Sequence, residues 1–281
     1  MTSEQERQRR LDDIADLAEG VSDEYTKASQ RTEPEAIIAA KKITLSFGDY
    51  ADAFDGLLEH KNGAFHIYGN LHRLKSRESG RARFTLAHEL GHFFIDDHRR
   101  ELQSGRTPSH PSFSDYQSKN PVEQEADHFA SHLLMPLVRF AKAGKRVAIG
   151  LEGVLALRDT FGTSITSTAI RCTKLEVGPY TLIKWSPDDF EWKWFSPSTF
   201  AAGYRAVMKT KANIPRDSAT GKAMAGDTLP EKGFFQSGTS ASAWFPGIWA
   251  GTQRDVLFIE QAILLGEFGV LTLLFPEQRK F

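Results

Sequence analysis

The sequence predicts an α+β fold. Two amphipathic helical runs, at 81–97 and 121–135, are separated by a long polar stretch. An Asn-Gly pair joins two strand-like runs ahead of them, and residues 177–281 hold several more strand-like runs.

In chain order, Leu11, Ile14, Leu17, Ala18, Val21 and Tyr25 recur at spacings of three and four, the stripe of a helix that packs on the rest of the chain. Pro34 opens a second helix that EAIIAAKKI continues. AFDGLLEH, Lys61-Asn62-Gly63 and AFHIYG read as a hairpin, because Asn-Gly readily takes the positive φ angles of a two-residue turn. RARFTLAHELGHFFIDD is a long helical run, and QSGRTPSHPSFSDYQSKNP after it has no periodicity and reads as a loop long enough to be functional. A helix over 121–135 starts at Asn120-Pro121 and stops against Pro136. Two short helices, at 154–161 and 165–175, surround Gly162-Thr163-Ser164. YTLIKW and FEWKWF form a hairpin across SPDD, while 199–250 is too mixed to assign, with Trp244 and Trp249 bracketing Phe-Pro-Gly. DVLFIEQAILL and GVLTLLF read as strands, although the first also suits a buried helix. The divisions expected are 1–140, 141–176 (a helical pair) and 177–281 (β-rich).

The chain is 40% apolar and 25% charged over 281 residues, enough for a core that needs no disulfide support. Thirty-five basic against thirty-six acidic residues exclude a general basic field for nucleic acid or anionic lipid. Cys172 is the single cysteine, which excludes an intrachain disulfide and a thiolate zinc cluster. The charged start MTSEQERQRR lacks the apolar stretch of a signal peptide, and Glu260, Gln261 and Glu267 interrupt the apolar run 256–275. A cytoplasmic protein with no membrane partner is expected.

His88-Glu89-Leu90-Gly91-His92 is an HExxH motif. On a helix, positions i and i+4 share a face, so both imidazoles can reach one cation. Counted from Thr85, His88, His92 and Glu89 fall at about 300°, 340° and 40°, whereas Leu86, Leu90, Phe93 and Phe94 occupy about 80–180°. Gly91 costs about 1 kcal/mol in a helix relative to alanine, which hints at close packing there.

A catalytic zinc takes three protein ligands and keeps one position open. PVEQEADHFASHLLM offers Glu123, Glu125, Asp127, His128 and His132 as the third. Setting Glu123 at zero, the apolar stripe of Ala126, Phe129, Ala130, Leu133 and Leu134 spans about 240° through 20°. Glu123 and Asp127 border that stripe, where a carboxylate needs a partner, while Glu125, His128 and His132 point to solvent. Glu123 is therefore the third ligand. A rival reading makes Asn120-Pro121-Val122-Glu123 a capping box that needs no metal. Asp127 suits a role accepting the free N–H of a ligand histidine.

RFTLAHELGHFFID followed by EQEADHFASHLLMP resembles the ImmA/IrrE family of metallo-endopeptidases, over roughly residues 35–175. The resemblance implies a small zincin-like domain with zinc on His88, His92 and Glu123, and Glu89 as the catalytic base. Mn²⁺ or Fe²⁺ suit similar donor sets. It further implies cleavage of a helix-turn-helix repressor, releasing stress or mobile-element genes. The loop between the two blocks is longer than a compact form of the motif requires. In zincins an edge strand ahead of the site pairs with extended substrate, which the 54–69 hairpin would supply. His66, Tyr68, His98, His110 and Tyr116 are unranked candidates for stabilising the oxyanion.

The pair of helices around Gly162 reads either as a buttress or as a helix-turn-helix, with Arg171 and Lys174 a thin supply of charge for DNA. Trp185, Trp192 and Trp194 are core or a binding platform. The alternative function is a non-proteolytic transcriptional regulator or partner-binding module using the metal fold as a scaffold. Glu89 favours the peptidase, because a scaffold needs ligands and no base.

Overall fold

In the computed structural model, which describes residues 2–26, 31–106, 109–113, 120–246 and 256–278, helix α1 (Ser3–Tyr25) begins on a capping box between Thr2 and Gln5. It buries Ile14, Ala18, Val21 and Ser22, while Leu17 is exposed. α2 (Pro34–Ala40) ends sooner than expected: Lys42 takes φ 57° and the chain turns into β1 (Thr44–Gly48), a strand missed in the sequence. β2 (Gly56–Lys61) and β3 (Ala64–Asn70) form the expected hairpin, with Asn62 at φ 53° and Gly63 at φ 78°. After the single turn of α3 (Leu71–Leu74) comes α4 (Gly80–Phe94), capped by Ser79, whose Oγ accepts from Ala82 N at 3.0 Å. Extended backbone at Ile95 breaks the long helical run, which resumes as α5 (Asp96–Gln103).

The stretch read as loop contributes a strand, β4 (Ser109–Ser112), before α6 (Pro121–Leu134) starts under an Asn120 cap. Then follow α7 (Leu137–Gly144), α8 (Leu151–Phe161) and α9 (Ile165–Lys174). The remaining elements are β5 (Thr181–Trp185), β6 (Phe190–Phe195), α10 (Pro197–Ala201), α11 (Ala219–Met224), β7 (Phe235–Ser240), α12 (Ala241–Trp244), β8 (Leu257–Leu264) and β9 (Val270–Pro276).

The chain divides into two units, Met1–Phe140 with Arg158–Ser164, and Ala141–Leu157 with Ile165–Phe281. The first holds a sheet in the order β1-β3-β2-β4, with β1 parallel to β3 and the other pairs antiparallel. The sequence expectation that the hairpin supplies a free edge for substrate is corrected: β4 pairs along β2 and β1 along β3, so neither hairpin strand lies at the edge of the sheet. Buried Asp55, just before β2, ties the sheet to the start of α4 through Arg81 Nη2 at 2.9 Å, and to α3 through Arg73 Nε at 2.6 Å. α4 also packs on α6, and α6 on α1.

The second unit is built on an antiparallel sheet in the order β6-β5-β9-β8-β7. Its tryptophans are mainly core: Trp185 Nε1 donates to Thr272 Oγ1 at 3.1 Å, and Trp244 Nε1 to buried Glu260 Oε2 at 3.1 Å. Trp192 is also buried, and Lys174 covers the Trp194 ring at 4.7 Å. Arg171 is buried, which withdraws it from any phosphate. Tyr116 and Trp249 lie outside the described residues. Among the described residues, no helix is long and apolar enough to cross a membrane.

Candidate metal centre

Two facing helices assemble the site. α4 places His88 and His92 one turn apart, with their Nε2 atoms 3.0 Å from each other. α6 brings Glu123 to them: Oε2 lies 3.3 Å from His88 Nε2 and Oε1 lies 3.5 Å from His92 Nε2. Ligand atoms of the three residues all lie within 4.8 Å of one another, a grouping able to hold a metal ion. The helices approach this closely because position 91 is glycine; a Cβ there would stand 3.1 Å from Ala126 Cα. Both Glu123 oxygens face imidazoles, so the carboxylate serves the histidines instead of closing a capping box.

Glu89 is fully buried beside them. Its Oε1 accepts from Ser112 Oγ on β4, and its Oε2 is buried with no partner among the described residues. Gly56 on β2 leaves it room, since a Cβ there would come within 2.5 Å of Oε1. Asp127 Oδ1 sits 2.8 Å from His88 Nδ1, where it accepts the proton of a ring whose Nε2 faces Glu123. His110 and Ser112, two residues apart on β4, share a face: Ser112 reaches Glu89 and His110 Nε2 reaches Glu123 Oε1. Of the other oxyanion candidates, His66 pairs with Thr44 and Tyr68 donates to Glu59 at 3.2 Å. His98 Nδ1 lies 3.2 Å from His92 Nδ1.

One expectation is corrected. Glu125, His128 and His132 do not point to solvent, because α1 packs over that face of α6. Glu125 Oε2 accepts from Arg10 Nη2 at 3.0 Å and lies 3.2 Å from His98 Nε2. His132 Nδ1 meets Glu19 Oε1 at 2.7 Å. The helical wheel had only one apolar stripe to read, and a second face covered through polar contacts leaves no apolar signal. Ser112 and Arg10 were missed for a related reason: nothing in a loop serine or a surface arginine announces a distant carboxylate. A cavity of about 380 Å³ opens beside His92 and His110, bordered by Arg10, His98, Leu102 and Glu125.

Charges in the metal-free cluster follow from burial and partners. Burial pushes the Glu89 carboxyl up to about 7, against the pull of His88 and Ser112. Burial also opposes charge on His88, but hydrogen bonds to Asp127 and Glu123 outweigh it and raise the ring to about 10. Burial holds His92 down at about 3 in spite of Glu123. Burial opposes charge on Glu123 as well, yet its bonds to His110, His88 and His92 hold the carboxyl well below the usual range.

An HExxH helix crossed by a glutamate-bearing helix, beside a small mixed sheet, defines a metallopeptidase-type domain. Residues 52–173 match the profile of the Peptidase M78 family, described as the IrrE N-terminal-like domain. No curated protein matches the chain at a significant level. Among solved structures, a Mycobacterium tuberculosis transcriptional regulator is similar at 14% identity and a TM-score of 0.55, over 94% of this chain and 76% of that one. At that identity the likeness is one of fold.

Proposed function

We propose that the protein is a zinc-dependent endopeptidase that cuts a regulatory protein of the helix-turn-helix repressor class. The observation that carries this is the pairing of a three-donor cluster with a buried carboxylate, Glu89, one of whose oxygens has no partner among the described residues. A scaffold site needs the donors alone. Two imidazoles and a carboxylate suit zinc, and Mn²⁺ or Fe²⁺ can occupy similar sets. His88, His92 and Glu123 would hold the ion, and Asp127 would fix the tautomer of His88. When bound, the metal supplies Lewis acidity, polarising the scissile carbonyl and acidifying a water to a pKa of about 7.

The rest falls to the chain's own residues. Glu89, held at Oε1 by Ser112, keeps Oε2 free to take the water's proton and later deliver it to the leaving amine. His110 stands next to Glu123 with a ring nitrogen able to donate to the developing oxyanion. An extended substrate would add to the sheet at β4, the edge adjoining Glu89 and Glu123, and place a side chain in the cavity beside His92. The fold neighbour's title as a transcriptional regulator is compatible with gene control as the setting. The reading is tested by incubating the protein with helix-turn-helix repressors from the same organism, followed by mass spectrometry. Wild type should give two discrete fragments, and Glu89→Gln or chelated wild type should give none. Equal cleavage by Glu89→Gln would overturn the mechanism.

A further inference from the structure

Helix α1 lies outside the matched stretch 52–173, yet one of its side chains connects to the metal cluster. We infer that Arg10, Glu125 and His98 form a positioning chain that fixes the ring of His92 for metal binding. This makes the N-terminal helix a working part of the site. The inference rests on the reading of His92 as a metal ligand.

The argument is one of proton positions. His92 turns Nε2 toward His88 Nε2, at 3.0 Å, and Glu123 Oε1, at 3.5 Å, so a ligating ring carries its proton on Nδ1. That nitrogen lies 3.2 Å from His98 Nδ1, which must then accept. His98 in turn carries its proton on Nε2, 3.2 Å from Glu125 Oε2. The same oxygen accepts from Arg10 Nε at 3.2 Å and Nη2 at 3.0 Å, and Arg10 Nη2 also meets Asp97 Oδ2 at 3.2 Å. One tautomer assignment satisfies every contact. Moving the His98 proton to Nδ1 would set two N–H groups against each other and turn a lone pair toward a carboxylate. His88 has a direct carboxylate partner in Asp127, whereas His92 reaches its carboxylate through a second ring.

Groups that orient a metal-bound histidine typically change metal affinity by about 10–100-fold when removed. The test is zinc affinity of the full-length chain, by competition with a chromophoric chelator, with the melting temperature of the metal-free form measured in parallel. His98→Phe keeps a ring but no acceptor, and should weaken zinc binding by about 10–100-fold. His98→Asn, whose Oδ1 still accepts from His92, should recover most of that loss. Arg10→Met should weaken binding less, in the same direction; since Arg10 is partly exposed, this variant decides the matter if His98→Phe fails to fold. A purely structural role would lower the metal-free melting temperature and leave zinc affinity alone. Zinc affinity within twofold of wild type in both variants would overturn the chain, even while wild type binds one zinc and His92→Ala binds none. A wild type that binds no zinc would instead remove the underlying reading, and the inference with it.

Discussion

Gly91→Ala separates helix propensity from site geometry. A Cβ at this position would stand 3.1 Å from Ala126 Cα, 3.2 Å from Ala126 O and 3.3 Å from Phe129 Cβ. Carbon atoms prefer a separation of about 3.5–4.0 Å, so α4 and α6 must part by about 0.4 Å. Alanine brings about 1 kcal/mol of helix propensity, and overpacking costs about 1–3 kcal/mol. The net loss is about 0–2 kcal/mol, or a melting temperature lower by about 0–8 °C. The effect on metal should be much larger in proportion. His88 and His92 ride on α4 and Glu123 rides on α6, one turn from Ala126. Metal–ligand distances tolerate only about 0.2 Å. Zinc affinity should fall by about tenfold or more, measured by chelator competition beside a thermal melt. A variant that melts higher than wild type and binds zinc equally well would refute the idea that this helix contact sets the site.

Glu123→Ala removes a donor that both histidines and His110 face, and should abolish stoichiometric zinc binding and cleavage together; a capping role alone would cost about 1 kcal/mol and spare the metal, which calorimetry and elemental analysis distinguish. Glu89→Gln should change the pH dependence of metal-free stability. A buried carboxyl raised from 4.5 to about 7 destabilises the fold when ionised, a cost fully present above about 7 and lost as pH falls below 4.5. Metal-free Glu89→Gln should therefore exceed metal-free wild type by up to about 3 kcal/mol at pH 8 and by under about 1 kcal/mol at pH 5, read by urea denaturation. An advantage that grows as pH falls would contradict the burial argument.

The sequence made the three-donor cluster legible because it is written in helical periodicity. His88, Glu89 and His92 share one face, and Glu123 borders the stripe of the next helix, so two wheels were enough to bring them together. Asp127 came from the same wheel. What periodicity cannot carry was missed. β4 is four residues within a stretch rich in serine and proline, and its placement depends on pairing with β2 rather than on local preference. β1 is five residues lying between a helix and the hairpin, too short to build a period of its own, and the sequence pattern assigns it to no element. The polar cover on α6 came from α1, whose apolar stripe explained its packing but gave no sign of the Arg10–Glu125 contact. The strands of the second unit were visible as apolar runs, whereas the described residues of 199–246 hold short helices, turns and one strand, each too brief to build a period.

The most direct measurement is the metal content of the purified chain, compared among wild type, Glu89→Gln, His92→Ala and Glu123→Ala. The account predicts about one zinc per chain in wild type and Glu89→Gln, and none in the two variants that lose a donor. Equal metal in all four would contradict it.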